Sequence, residues 1–439
     1  MSYGYMGKIL RVDLSKGEIK DELIDDEIYK NFLSGYGLAA KILFEELEPG
    51  IDPLGPKNIL AIMSGLLTGT GSRFSGRWMA AGKSPLTGTW GDANCGGSFG
   101  PSIKQSGYDG FFFKGKSNYP VYLLIDGGKA SLCNASDLWG KDSSETEDAL
   151  KKMYGKYCKV ACIGKGGEMK SLISGIVTDK GRLAARSGLG AVMGSKNLKA
   201  ICIIGKQKKV EVFDKIAMRQ LTEDYLERFS KINSGFKYTL QTWGTAGGTW
   251  ASAYSGDSPA KNWKGSGRNW HCDEDVDNIN FRAFESAEHI SDDYVTKYEI
   301  KKFACAECPL GCGGICSIKS GPHPLKETHR PEYETLCGFG TMLQIDDVKT
   351  IFKVNHMLNL AGIDTISCSV IVAWAYEAFE KKIITELDTG GLCLKWGNSE
   401  PLIPLIQKII EGEGIGEHLR NGVMRASEYY KKKCQQKDK

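Results

Sequence analysis

Phe213-Asp-Lys-Ile-Ala-Met-Arg-Gln-Leu-Thr-Glu-Asp-Tyr-Leu-Glu-Arg-Phe-Ser-Lys-Ile232 is where the chain changes its hydrophobic period. Phe213, Ile216, Leu221, Tyr225, Phe229 and Ile232 recur every three to five positions, the repeat of an amphipathic helix, and Asp214 stands where an N-cap belongs. Upstream, the apolar runs are short, β-prone and separated by turns. Residues 8–14 read as a strand, Ser15-Lys16-Gly17 as a turn and residues 18–23 as the returning strand. Residues 121–125 and 129–133 flank Asp126-Gly127-Gly128 as a second hairpin. Further strands are predicted over 111–114, 159–163, 173–177 and 199–204, with a helix near 144–154. Downstream, helices are predicted over 290–303, 348–361, 368–379, 402–410 and 417–432. The fold class is therefore α+β, with a β-rich N-terminal domain over residues 1–208 and a mainly α-helical domain over 209–439.

Composition narrows the function. Hydrophobic residues make up 41% and charged residues 25% of 439, which excludes a disordered or fibrous chain. A net charge of +4, from 57 basic and 53 acidic residues, gives no nucleic-acid footprint. The longest largely apolar stretch, residues 366–379, is broken by Ser367, Ser369 and Glu377, so no membrane span is predicted. No apolar signal core follows Met1, and the reading is of a reduced, cytoplasmic protein. Its 14 cysteines then read as packed thiols or metal ligands. Glycine is in excess, 54 of 439 against roughly 7% in average proteins, as expected where backbone must turn tightly or approach a ligand closely.

Five segments carry chemistry. Cys305-Ala-Glu-Cys308-Pro-Leu-Gly-Cys312-Gly-Gly-Ile-Cys316 has the spacing C-x2-C-x3-C-x3-C, which can place thiolates on the corners of a cuboidal iron–sulfur cluster. Zinc and four separately packed thiols are the alternatives; the two separated C-x2-C pairs of a zinc ribbon are absent. The glycine-rich stretch from Gly71 to Gly100 contains Arg77, Lys83, Asn94 and Gly96, suited to phosphates and heterocycle edges, or else turn-rich β structure. It lacks the strand, G-x-G-x-x-G and helix of a dinucleotide fold. Arg186-Ser187-Gly188 again joins glycine to a fixed charge, although a plain loop leading into the 199–204 strand fits equally. In Pro331-Glu332-Tyr333-Glu334, the carboxylates at i and i+2 share one side of an extended segment, as a general acid/base or as ion-paired surface groups. Asp364, in Asn359-Leu-Ala-Gly362-Ile363-Asp364, reads as an N-cap.

Together these segments resemble the tungsten or molybdenum bis-pterin aldehyde ferredoxin oxidoreductase family. The matching runs also include Lys83-Ser-Pro-Leu-Thr-Gly, Gly190-Ala-Val-Met-Gly-Ser-Lys and Trp243-Gly-Thr-Ala-Gly, in order along nearly the whole chain. The resemblance implies a pterin-binding base domain, helical domains over it, a bis-pterin metal and a 4Fe–4S cluster. It assigns Arg77, Asn94, Gly96 and Arg186 with Ser187 and Gly188 to the first pterin. Asn359, Gly362, Ile363 and Asp364 go to the second, and Glu334, with Glu332 beside it, to the neighbourhood of the metal. Cys305, Cys308 and Cys312 match the first three cluster ligands, with Cys316 as the fourth candidate. The implied activity is oxidation of aldehydes to carboxylates with ferredoxin, or an iron–sulfur electron-transfer subunit, as electron acceptor. A related low-potential reductase, such as one acting on aromatic acyl-CoA, and a non-catalytic cofactor-binding relative are the alternatives. Three departures stand out. The family's third helical domain is not matched and is expected from a separate chain in a homo- or hetero-oligomer. Asn359 replaces an acidic residue. Lys353-x-x-His356 replaces the family's E-x-x-H iron site, so that iron is not expected.

Overall fold

The computed structural model describes residues 3–204, 209–266 and 284–437. The chain forms two compact units. The first comprises 1–232 with two short returning segments, 304–309 and 359–364; the second comprises 233–303, 310–358 and 365–439.

Among its described residues, the first unit holds two six-stranded sheets. In spatial order, one sheet runs Glu18–Leu23, Lys8–Asp13, Gly110–Lys114, Leu60–Ser64, Trp78–Lys83 and Trp90–Cys95. The other runs Arg182–Ala184, Ile176–Thr178, Lys159–Cys162, Leu198–Ile204, Val121–Asp126 and Lys129–Asn134. Each contains one parallel pair, Lys8–Asp13 with Gly110–Lys114 and Leu198–Ile204 with Val121–Asp126; the other pairings are antiparallel. Strand alternation sends Leu10, Val12, Ile62, Phe111 and Phe113 of one sheet and Leu123, Ile125, Ile201 and Ile203 of the other into one shared apolar core. The outer face of the first sheet is covered by helix Tyr36–Glu46 through Leu38, Ala39, Ile42 and Leu43. Helix Ser143–Tyr154 covers the second sheet and starts at a capping box in which Asp142 and Glu145 satisfy each other's backbone amides.

The second unit is built on helices Thr365–Glu380, Leu402–Glu411 and Val423–Lys437 and most of Val348–Ala361. It also holds a three-stranded antiparallel sheet of Glu299–Phe303, Gly313–Ile318 and Leu325–His329. No described helix is long and apolar enough to cross a membrane.

The α+β class stands, and several predicted elements differ in detail. The helix expected over 290–303 is a short helix, Asp292–Thr296, followed by strand Glu299–Phe303. Antiparallel pairing of Phe303 with Gly313 and Lys302 with Gly314 overrides the local apolar spacing. The strand expected over 173–177 starts at Ile176, because Ser174 and Gly175 pair instead with Ile363 and Gly362. The single helix expected over 417–432 is two, Ile415–Leu419 and Val423–Lys437. The tight-turn bonds Asn421 N–His418 O and Gly422 N–Leu419 O separate them. The boundary expected at 208/209 adjoins residues 205–208, which lie outside the described ones. The first unit extends to Ile232 because helix Lys215–Lys231 packs Tyr225 and Phe229 on Phe74, each with ring centroids 5.9 Å apart.

Candidate functional site

Pairing of strands Trp78–Lys83 and Trp90–Cys95 sets Trp78 opposite Cys95 and Met79 opposite Asn94. Arg77, one step before Trp78, therefore faces the end of the partner strand. Its guanidinium donates to the side-chain oxygen of Asn94, and Nη2 donates to Asn94 O at 3.4 Å. Both side chains remain exposed. Tyr36 is exposed near them; partial burial, then the Asp92 charge, raises its pKa.

The Cys305–Cys308 segment is docked on this same edge of the first unit. Ala306 N donates to Gly97 O at 2.9 Å, and Phe74 N donates to Glu307 O at 2.9 Å. Arg73 Nη1 lies 2.7 Å from Glu307 Oε2. Gly96 packs so closely that a Cβ there would come within 2.5 Å of Cys305 Sγ and 3.3 Å of Arg77 Nη1. Glycine at 96 is thus required by the approach of a cysteine more than two hundred residues away in sequence.

The Arg186–Gly188 turn meets the strand at Asp92: Ser187 Oγ donates to Asp92 O at 3.0 Å, and Ser84 Oγ donates to Ser187 O at 2.8 Å. Arg186, 57% exposed, pairs through Nε with the buried Asp364 at 3.2 Å. Asp364 belongs to the returning 359–364 segment. That segment is held where Gly175 N donates to Gly362 O (2.8 Å), Asp364 N to Ile173 O (2.9 Å) and Ser143 Oγ to Asn359 O (3.0 Å). Arg77, Asn94, Gly96, Arg186, Ser187, Gly188, Asn359, Gly362, Ile363 and Asp364 thus all lie in the first unit. Asp92 and Tyr36 were missed by the sequence reading; Asp92 could have been found from the two-residue period that puts it on the same strand face as Asn94.

In the second unit, Glu332 and Glu334 part company. Glu332 is the N-cap position of helix Tyr333–Leu336, and its Oε2 accepts from Thr245 Oγ1 at 2.5 Å. Glu334 lies on that helix and lines a cavity of about 240 Å³. The extended segment expected there is a helical turn, since Thr335 N and Leu336 N both donate to Glu332 O. Tyr333, Cys337, Ser369, Met342, Ile366 and Val370 also line the cavity. A π-helical turn, Cys337–Thr341, follows directly and sets Cys337 and Gly338 in the wall. Burial pushes the Tyr333 phenol up to about 12, and its hydroxyl lies 3.2 Å from Ser258 Oγ.

The cysteines of the C-x2-C-x3-C-x3-C run have different surroundings. Cys305, Cys308 and Cys312 are half-buried, whereas Cys316 is fully buried in strand Gly313–Ile318, where burial pushes its thiol up to about 12. The Cys312 carbonyl accepts from Arg330, a buried guanidinium that also pairs with Glu299. Among the described residues, no three His, Cys, Asp or Glu side chains stand grouped as a metal set. His356 Nδ1 lies 3.2 Å from Thr328 Oγ1, and burial, then Lys353, pushes the imidazole down to about 4.

Comparison with known proteins bears on this geometry directly. Residues 9–205 match the family model described as aldehyde ferredoxin oxidoreductase, N-terminal domain, and residues 220–438 match aldehyde ferredoxin oxidoreductase, domains 2 and 3. The tungsten-containing aldehyde ferredoxin oxidoreductase of Pyrococcus abyssi is 37% identical over 435 residues, covering 98% of this chain and 68% of that protein. The chain belongs to the aldehyde ferredoxin oxidoreductase family. Other relatives differ in their named chemistry. The WOR-like subunit of an aliphatic sulfonate oxidoreductase from Pyrococcus furiosus is 31% identical over 444 residues, covering 97% of this chain and 67% of its own length. Among solved structures, the active-site complex BamBC of benzoyl coenzyme A reductase with 1,5-dienoyl-CoA superposes with a TM-score of 0.84 at 28% identity, covering 98% of this chain and 64% of that one. The chain thus spans about two thirds of the length of these relatives.

Proposed function

We propose that the chain is the cofactor-bearing part of a tungsten- or molybdenum-pterin oxidoreductase that converts a small aldehyde to a carboxylate and passes the electrons through a 4Fe–4S cluster to ferredoxin or an iron–sulfur subunit. The observation that carries this reading is the docking of the Cys305–Cys308 segment against Gly96, beside the exposed Arg77–Asn94 pair. The first-unit residues fit a pterin, and the cluster reading rests on cysteine spacing. Arg77, Asn94 and Tyr36 offer exposed donors and acceptors matched to the polar rim of a pterin, and Arg186 keeps an exposed charge for a phosphate. Asn359, Gly362, Ile363 and Asp364 are proposed for the second pterin. Cys305, Cys308 and Cys312 are proposed cluster ligands on their spacing. Cys316, fully buried in strand Gly313–Ile318 while the other three are half-buried, is proposed as a packed residue, and the fourth ligand comes from outside the run.

The bound metal supplies a two-electron redox centre, and the cluster passes electrons on singly. The protein's own groups do the rest. Glu334 holds and moves the proton that accompanies oxidation. Tyr333, whose hydroxyl is bonded to Ser258 Oγ, offers a polar group at the cavity, while Met342, Ile366 and Val370 supply apolar wall. Glu332, held by Thr245, orients the turn that carries Glu334. The relatives described as a BamBC complex and as a WOR-like subunit support association with a partner chain, in a homo- or hetero-oligomer. The free cysteines suit a reducing, cytoplasmic setting.

Metal analysis of the purified chain tests the proposal. About four iron and one tungsten or molybdenum per chain are expected, and a metal-free protein overturns it. Glu334→Gln should keep the metals and lower kcat by about 100-fold or more. The benzoyl-CoA reductase likeness favours a second reading, a low-potential reductase acting on an aromatic acyl thioester. Turnover of such a substrate with aldehydes inert would select it. Cys316→Ser should retain its iron; loss would restore Cys316 as a ligand.

A further inference from the structure

The turn between strands Ile176–Thr178 and Arg182–Ala184 carries two consecutive left-handed non-glycine residues, Asp179 at φ 49° and Lys180 at φ 58°. A hairpin turn admits such a pair, and its surroundings can fix it further. Two anchors do so. Lys180 N donates to Glu147 Oε2 at 2.9 Å, and Glu147 is itself buried and paired with Lys151. Lys180 Nζ also reaches Asp148 Oδ2 at 2.7 Å on the same helix. On the other side, the Asp179 carboxylate accepts from Ser98 N and from Ser98 Oγ, each at 2.6 Å. Lys159 Nζ donates to Ser98 Oγ at 2.9 Å. Gly97, at φ 84°, lets the carboxylate approach, because a Cβ there would collide with it.

The chain of contacts continues past Ser98. Gly97 O receives Ala306 N, and Gly96 leaves no room for a Cβ before Cys305 Sγ. Asn94 lies two residues before Gly96. We infer that Asp179 is a positioning residue for the redox cofactors: it fixes the Gly96–Gly97–Ser98 turn and, through it, the placement of Asn94 and Cys305. This rests on the proposed roles of Asn94 at a pterin and Cys305 at the cluster. The carboxylate suits the task because two charge-assisted bonds to one residue restrain both the position and the tilt of the turn. The turn that presents it is held by a helix that carries none of the proposed cofactor contacts.

The experiment uses the purified, metal-loaded protein and compares it with Asp179→Ala, Asp179→Asn and Ser98→Ala. Iron retained against a chelator, the cluster's EPR line shape and its reduction potential are read beside the thermal midpoint. Asp179→Ala should lose iron about tenfold more readily, with a changed line shape and a shifted potential. Asp179→Asn keeps one acceptor for Ser98, and Ser98→Ala loses only the hydroxyl arm. Both should shift the spectrum in the same direction by less, and these two decide the matter if Asp179→Ala does not fold. A lowered thermal midpoint with unchanged spectrum, potential and iron retention overturns the inference and leaves Asp179 a structural residue. Absence of iron from the unsubstituted protein overturns the cluster reading and this inference together, whereas a loaded parent with indistinguishable variants overturns only the role of Asp179.

Discussion

Lys104 and Lys196 each bury an ammonium among backbone carbonyls. Lys104 Nζ donates to Gly4 O and Leu66 O at 2.5 Å, and Lys196 Nζ donates to Asn58 O at 2.5 Å and Gly115 O at 3.2 Å. Burial pushes both down to about 8 from the ordinary 10.5. Between pH 8 and 10.5 the unfolded chain therefore holds more protons than the folded one, and stability rises with pH across that window. For Lys196 alone the rise is at most about 3 kcal/mol. Denaturant midpoints of the protein and of Lys196→Met, compared from pH 7 to 11, should show the parent gaining on the variant as pH rises; parallel profiles refute the assignment. The burial of neither lysine was legible in the sequence, although Lys196 ends the Gly190-Ala-Val-Met-Gly-Ser-Lys run. The same limit applied to Glu332 and Glu334. Their i, i+2 spacing showed two carboxylates, but the helical turn starting at Tyr333, not the spacing, sends Glu332 to Thr245 and Glu334 into the cavity.

At the scale of elements, periodicity was reliable wherever a local signal agreed with it. Helix Lys215–Lys231 begins at Asp214, as read from the sequence, with the carboxylate accepting from Ile216 N at 3.0 Å and Ala217 N at 2.8 Å. None of its residues is fully buried, so the cap carries an unusual share of its stability. Asp214→Ala should cost about 1 kcal/mol and speed amide hydrogen exchange in the first turn, leaving the sheet core unchanged. Unaltered exchange there would show that the ring contacts with Phe74 alone hold the helix. Strand Glu299–Phe303 shows the opposite case. Its sequence, Glu-Ile-Lys-Lys-Phe, has no strong strand signature, and only the antiparallel partner Gly313–Ile318 makes it a strand.

At the scale of the molecule, the first unit is discontinuous. It also includes 304–309 and 359–364, which return from far along the chain. A fragment of residues 1–232 would leave Gly175 N, Ile173 O and Ser143 Oγ without their partners Gly362, Asp364 and Asn359. At about 1 kcal/mol per lost hydrogen bond, it should be destabilised by roughly 3 kcal/mol or more. Its denaturant midpoint should lie below that of the same unit in the whole chain; an equal midpoint would show that the two segments are not part of the folding unit. The amino-acid sequence by itself determined the α+β class, the hairpins, the Asp214-capped helix and family membership, because these rest on hydrophobic period, turn chemistry and ordered motifs that are local along the chain. Only the tertiary structure decided that Cys305 seats against Gly96, that Asp364 pairs with Arg186, that Cys316 is a buried thiol and that Asp179 braces Ser98. Each of these joins residues far apart in sequence, and their meeting depends on strand register and close packing, which leave no periodic signature in the chain.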